Sequence, residues 1–237
     1  AVKCMDLFEH QGSISKIMTD DKNDPNETIF ISSSYDTTMR IYSSSTGENI
    51  GVLKGTHKRQ VTEFNFANSI LASADRDGGI AIWDLNREKC VMNKPLHQGQ
   101  ISSIIFHSDA GDNNLILTAG INDGKVNAFD MRTSEKVFSK LVHGGAINLF
   151  KSSNMSNILF TGSADKSIRV FDIMSNFSEI SNMKATDSVF CGDLYETSFL
   201  AVGCGDGSLL GYDLNKFECV WGYGVEQEGR VRCVHIA

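Results

Sequence analysis

The chain has 237 residues, 41% hydrophobic and 22% charged, with 21 Gly and only 2 Pro, a balance that excludes disordered and collagen-like chains. No run approaches the roughly 18 consecutive apolar residues of a spanning helix, and AVKCMDLFEH lacks the basic start and long apolar run of a secretory leader, so membrane insertion is not expected. With 22 Lys and Arg against 29 Asp and Glu the formal charge is −7, which repels polyanions, so direct nucleic-acid binding would need a local basic patch and is not expected.

The pattern along the chain is a repeat of short strands. Apolar runs rich in Val, Ile and Phe are punctuated by Gly, Asn, Asp and Ser, and no helical stripe competes with them. The chain starts in a strand KCMDLF from Lys3. An acidic stretch, DDKNDPNE from Asp20 to Glu27, follows, and then the run MRIY ending at Tyr42. The second unit reads VTEFNF from Val61, ILASA from Ile70, IAIW to Trp83 and KCVMNK from Lys89. The third reads ISSIIF from Ile101, LILTAG from Leu115, VNAF to Phe129 and EKVFSK from Glu135. ILFTGS from Ile158 and IRVF to Phe171 belong to the fourth; FLAVGC from Phe199, LLGY to Tyr212 and ECVWGY from Glu218 belong to the fifth.

The five aromatics are spaced by 41, 46, 42 and 41 residues. Six residues before each stands an aspartate: Asp36, Asp77, Asp123, Asp165 and Asp206. Each sits in a tight turn between the second and third strands. Upstream, His10, His57, His97 and His143 each stand four residues before a β-branched residue, and Ala185 takes that place in the fifth unit. Four antiparallel strands per unit of forty-odd residues describe the blade of a propeller.

With histidine, turn aspartate and aromatic in step through nearly the whole chain, the sequence resembles the WD40-repeat family. The resemblance implies an all-β propeller of four-stranded antiparallel blades. Residues 1–237 are then one propeller domain, with five blades complete and parts of another at the ends, in a full ring of six or seven. Both termini read as partial blade strands, so further residues or a partner filling the gap are expected. Trp83 is the only tryptophan at the aromatic position, and most units lack a glycine before the histidine.

One His and one Asp per blade would be spread around a ring instead of gathered at one centre, so they read as structural and not as catalytic or metal-binding residues. The expected sets are Ser34 with His10, Asp36 and Tyr42; Asp75 with His57, Asp77 and Trp83; and Ser163 with His143, Asp165 and Phe171. His97, Asp123 and Phe129 belong to a third set that Ile121 breaks, and Asp206 and Tyr212 to a fifth that Cys204 breaks. The acidic stretch lacks the glycine and distal glutamate of a calcium loop, GCGDG near Gly205 opens no helix, and no nucleophile elbow occurs. No cofactor, metal or small-molecule substrate is expected. Cys4, Cys90, Cys191, Cys204, Cys219 and Cys233 are scattered without a CxxC pair, which points to a reduced compartment inside the cell, cytoplasmic or nuclear. Sequons at Asn26, Asn154 and Asn176 are of a length that recurs by chance.

The resemblance also places the loops before each first strand, and the turns before each third strand, on a face that binds peptides. Tyr35, Gln60, Arg76, Gln100, Asn148, Phe190, Arg230 and Arg232 fall there, with Lys58 and Arg59 in the same kind of loop. Aromatic and Arg side chains dominate interface energies, and acidic residues at Asp20, Asp21, Asp24, Glu27, Asp109 and Asp112 fall on the opposite rim. An acidic or phosphorylated segment is the expected guest. The leading expectation is a non-catalytic scaffold for protein–protein or protein–peptide interactions. An alternative is a substrate receptor of a cullin-type ubiquitin ligase, because Phe129-Asp130-Met131-Arg132 resembles a W-D-x-Arg ending that docks on the ligase adaptor. A propeller-based enzyme ranks third.

Overall fold

The computed structural model describes residues 9–19, 28–67, 69–109, 112–153, 157–196, 198–224 and 229–236, without the side chains of 108–109 and 112–114. The strand from Lys3, Cys4, the stretch from Asp20 to Glu27, the side chains of Asp109 and Asp112, and the sequons at Asn26 and Asn154 lie outside the described residues.

The all-β reading is borne out: twenty strands form five four-stranded antiparallel sheets, and no helix occurs among the described residues. The first sheet is β1 (Ile14–Thr19), β2 (Ile29–Ser34), β3 (Met39–Ser43) and β4 (Asn49–Leu53). The second is β5 (Val61–Ala67), β6 (Ile70–Asp75), β7 (Gly79–Asp84) and β8 (Lys89–Pro95). The third is β9 (Ile101–Asp109), β10 (Asp112–Gly120), β11 (Lys125–Asp130) and β12 (Glu135–Leu141). The fourth is β13 (Ile147–Ser153), β14 (Ile158–Ser163), β15 (Ser167–Asp172) and β16 (Ser178–Lys184), and the fifth is β17 (Val189–Tyr195), β18 (Phe199–Cys204), β19 (Leu209–Asp213) and β20 (Glu218–Tyr223). Strands pair in chain order within every sheet. The chain divides into two compact units, Ala1–Ile104 and Ile105–Ala237, with the boundary inside β9.

Burial explains the strand composition. The two middle strands of a sheet, such as β6, β7 and β15, are largely buried, so they read as near-continuous apolar runs, whereas the fourth strands of the second to fifth sheets are largely exposed. Within each unit, consecutive sheets share cores. In the first unit Ile31, Met39, Ile41 and Leu53 of one sheet pack against Val61, Phe64, Leu71, Ala81 and Trp83 of the next. In the second unit Leu149, Phe160 and Val170 meet Val189, Leu200, Val202 and Tyr212. A lone sheet would leave these side chains wet, so each repeat is stable through its neighbour.

Two bulges recur. Opposite the aromatic of each third strand, the fourth strand carries one extra residue: Ile50, Val91, Val137, Ile180 and Val220 are skipped in the five pairings. All five are β-branched and exposed, between 44% and 58%. A bulge twists the outermost strand and breaks its ladder, so it is a poorer template for another chain. The first strands bulge likewise, skipping Ser15, Thr62, Asn148 and Phe190.

The turn between second and third strands closes with the same bond in four repeats, from the amides of Thr37, Gly78, Lys166 and Gly207 to the carbonyls of Ser34, Asp75, Ser163 and Cys204. The donor residue has positive φ each time, 72°, 90°, 68° and 86°, and so does Gly124 at 59°. Glycine suits that region. A Cβ on Gly78 would stand 2.3 Å from the His97 carbonyl oxygen. Thr37, β-branched, is therefore strained where three other repeats hold glycine. Thr37→Gly is expected to raise the unfolding free energy by about 1 kcal/mol, and Gly78→Ala to lower it by about 2 kcal/mol or more, both measured by urea denaturation.

Candidate functional site

The first, second and fourth repeats contain a polar chain that fixes the loop entering the first strand to the turn opening the third. In the first repeat His10 Nδ1 lies 2.8 Å from Asp36 Oδ2, and Nε2 lies 2.7 Å from Ser32 Oγ. Asp36 also accepts from the Gln11 amide at 3.0 Å, from the Thr38 amide at 2.9 Å and from the Thr38 hydroxyl at 2.6 Å. The fourth repeat repeats this geometry. His143 Nδ1 is 3.0 Å from Asp165 Oδ2 and Nε2 is 2.9 Å from Thr161 Oγ1, while the Gly144 and Ser167 amides donate to Asp165 at 3.0 Å each.

The hydroxyl partner is thus Ser32 or Thr161, which corrects the expected Ser34 and Ser163. Those two instead accept from the amides of Asp36 and Asp165, at 3.1 Å each. In the second repeat the expected carboxylate, Asp77, is displaced from the network. His57 Nδ1 meets Asp75 Oδ2 at 3.0 Å, and Asp75 Oδ1 accepts from the amides of Asp77 at 3.0 Å and Gly79 at 2.9 Å. A Cβ at position 79 would stand 2.9 Å from that carboxylate, which is why glycine stands where the first, fourth and fifth repeats hold Thr38, Ser167 and Ser208.

Asp75 can only accept, so a neutral His57 carries its proton on Nδ1 and Nε2 is a lone pair. The buried Ser73 hydroxyl, 2.7 Å away, donates to it and accepts from Trp83 Nε1 at 2.8 Å. Every buried polar atom in that chain has a partner. Tyr42 likewise hydrogen-bonds Ser32, and Phe171 makes no such bond. The third and fifth repeats hold buried Ala119 and Val202 at the hydroxyl position. Asp123 there accepts from the Lys125 amide at 3.1 Å, and His97 is buried. In the fifth, Ser208 donates to Asp206 at 2.6 Å and Thr186 contacts Ser208 at 2.6 Å, while the Tyr212 hydroxyl donates to the Lys184 carbonyl at 2.8 Å.

These bonds set the ionisation. Burial raises Asp36, Asp75 and Asp165, but the hydrogen bonds they accept outweigh it and hold all three below the ordinary 3.8. For His143 burial dominates and lowers it from 6.5, against the pull of Asp165. The polar groups are mutually consumed in holding the loops, and among the described residues no group of three or more His, Cys, Asp or Glu is placed to hold a metal.

The expected partner-facing residues fall in both units. In the first, Arg76 Nη1 donates to Gln60 Oε1 at 2.9 Å, and the Arg76 amide donates to the Gln60 carbonyl at 3.0 Å. Around them Thr37, Lys58, Arg59, Gln60, Arg76 and Asp77 line a cavity of about 470 Å³. Asp77, freed from the histidine, pairs with Arg59 at 3.0 Å. Tyr35 is 44% exposed and Gln100 is half-buried. In the second unit the Arg230 guanidinium stands 5.0 Å from the Phe190 ring, and Arg232 is exposed. Asn148 uses its side chain internally, donating to the Val189 carbonyl at 2.8 Å, as Ser15 does to Val61 at 2.7 Å. These bulge residues staple one sheet to the next. Arg132 folds onto Asp130, its amide donating at 2.8 Å and its Nη2 standing 3.3 Å away. The roles of Thr37 and Asp77 at the cavity were missed in sequence; the signals were a threonine where three other repeats hold glycine, and the Asp75–Gly79 exchange.

The "WD domain, G-beta repeat" family model matches residues 2–43, 47–84 and 135–172. With five sheets of this topology and these polar chains, the chain belongs to the WD40-repeat family. The nuclear distribution protein nudF of Aspergillus niger is 30% identical over 153 residues, covering 62% of this chain and 34% of that protein. Pre-mRNA-processing factor 19 of Oryza sativa subsp. japonica is 27% identical over 203 residues, 81% of this chain and 37% of that protein. A coronin-like protein of Saccharomyces cerevisiae is 24% identical over 173 residues, 68% of this chain and 26% of that protein. The chain thus spans roughly a quarter to two-fifths of the length of these relatives. The family is generally non-catalytic, and its members serve as protein-interaction scaffolds.

Removing the hydroxyl at the centre of the second repeat strands two buried groups, so Ser73→Ala is expected to cost about 2–4 kcal/mol and Trp83→Phe about 1 kcal/mol, measured by urea denaturation. A folded-state His143 lowered from 6.5 binds its proton less readily than the unfolded chain. Stability is therefore expected to fall as pH drops below 6.5, and again below 3.8 as the lowered aspartates Asp36, Asp75 and Asp165 protonate. His143→Gln should remove the part of the loss that begins at 6.5, read from urea midpoints between about pH 5 and 8.

Proposed function

We propose that the chain is a non-catalytic scaffold whose loop face holds segments of other proteins, acidic or phosphorylated ones in particular. One observation carries this reading: the recurrent His, Asp and Ser or Thr side chains are spent on one another, while Arg59, Arg76, Arg230 and Arg232 stand exposed at the loop tips. A partner that docks on exposed Arg and aromatic side chains gains charge-assisted hydrogen bonds and large contact areas without disturbing the bonded frame. Phe190 and Arg230, already stacked, form one such anchor, and the exposed Tyr35 and Arg76 are further ones.

Cys90, Cys191, Cys204, Cys219 and Cys233 are all free thiols, which supports a reducing, intracellular setting for this scaffold. No described helix is long and apolar enough to cross a membrane. The ligase-receptor reading draws less support, because Arg132 is already engaged by Asp130.

A quantitative affinity capture from lysate with the full-length protein tests the proposal, run beside a Phe190→Ala, Arg230→Glu, Arg232→Glu variant of unchanged melting temperature. The expected outcome is selective loss of a set of partners from the variant. An unchanged partner set contradicts the assignment of binding to these loops, and loss of a ligase adaptor on Arg132→Ala would favour the ligase reading instead.

A further inference from the structure

The cavity between the first and second repeats has a composition that the frame does not require. Three cations, Lys58, Arg59 and Arg76, line it with one carboxylate, Asp77, on a chain whose formal charge is −7. All four of these side chains are exposed, and Thr37 and Gln60 complete the wall. Among the described residues no carboxylate pairs with Lys58 or Arg76, whereas Arg59 shares Asp77 through Nε and keeps its terminal nitrogens for a guest.

The cations are held in place. The Arg76 fork is fixed by its bond to Gln60, and its backbone by the bond from its amide to the Gln60 carbonyl. Asp75 grips the Asp77 amide on one side and His57 on the other, so the loop bearing Lys58 and Arg59 and the turn bearing Arg76 cannot drift apart. Thr37, also in the lining, has a left-handed backbone at a position where glycine would be relaxed.

We infer that this cavity is the seat of one phosphoserine or phosphothreonine side chain of a partner protein, with Asp77 acting as a charge gate. The inference rests on the reading that the loop face binds protein segments. Two guanidinium groups and an ammonium match a dianionic, three-oxygen phosphate better than a carboxylate, which offers one charge and two oxygens. Asp77 sharpens the difference. A guest must compete with it for Arg59, and because the pair is 67% exposed on both sides it opens readily for a dianion. A single carboxylate gains little by exchanging with a carboxylate already in place. A phosphate on a flexible segment meets only the local positive field within a Debye length, whereas an anionic bilayer is an extended polyanion that the net charge repels. The partner is therefore a phosphorylated protein and not a lipid surface.

The test is an amide-resolved NMR titration with two degenerate peptide pools that differ only in a central phosphothreonine or glutamate. Vesicles containing phosphatidylinositol bisphosphate form a third arm. The expected result is saturable shifts of the Thr37, Arg59 and Arg76 amides with the phosphothreonine pool only. Arg76→Ala and Lys58→Ala, each checked for an unchanged melting temperature, should weaken that binding about tenfold. Asp77→Asn should strengthen it about threefold and admit the glutamate pool. Equal responses to the two pools, or no shifts at these amides, overturn the inference, and vesicle binding that requires Arg76 without a phosphopeptide response reassigns the cavity to a lipid headgroup. A silent titration beside partner capture that still depends on Phe190, Arg230 and Arg232 overturns the phosphate seat alone. A saturating titration beside capture that ignores every variant overturns the scaffold reading and leaves the seat.

Discussion

The bond between a buried histidine and a carboxylate near the turn is the constraint on which the rest of the first, second and fourth repeats depends. His57 reaches Asp75, and His143 reaches Asp165, across 18 and 22 residues of chain. Each contact locks the loop that starts one sheet to the hairpin turn inside it. Neither group could be buried alone without a large desolvation cost, but together, with a hydroxyl on the far ring nitrogen and backbone amides on the carboxylate, every donor and acceptor is satisfied. The apolar cores between consecutive sheets supply the bulk of the driving force, and the polar chain selects the arrangement in which the loop tips have one shape.

That division of labour decides which side chains are left for the proposed partner. Side chains that bond internally are unavailable to a guest, and this applies to Asn148 and Ser15 as well as to the histidines, since both staple neighbouring sheets through their side chains. What remains at the tips are cations, a tyrosine and a phenylalanine on a fixed frame, the arrangement in which few contacts carry most of an interface's energy. The first-strand bulge is what turns each stapling side chain toward its neighbour.

Much of the architecture was legible because it recurs. Spacing of the aromatics marked the sheets, and the histidine four residues before the first strand of four repeats marked the loops. The internal partners were harder, for a physical reason. Side chains two residues apart on a strand share a face, so Ser32 and Ser34, or Thr161 and Ser163, are equivalent by pattern and differ only in depth along the strand. Depth decides which one meets the ring nitrogen. In the second repeat the carboxylate moved two places back to Asp75, and the traces in sequence are Asp75 itself, where other repeats hold serine, isoleucine or cysteine, and the glycine at position 79 that makes room for it. The cavity was less visible still, because it forms from Thr37 of one repeat and Lys58, Arg59 and Arg76 of the next, and its gate, Asp77, looks like any other turn aspartate.

The most direct test of the central claim is a double-mutant cycle on His143→Gln and Asp165→Asn, with unfolding free energy and partner capture measured on all four proteins. If the pair acts as the clamp described here, the two effects are non-additive by about 1–3 kcal/mol, and partner capture, corrected for the folded fraction, is unchanged. Additive effects within about 0.5 kcal/mol, or lost capture at undiminished stability, would contradict the account by showing that the pair touches the partner and does not hold the frame.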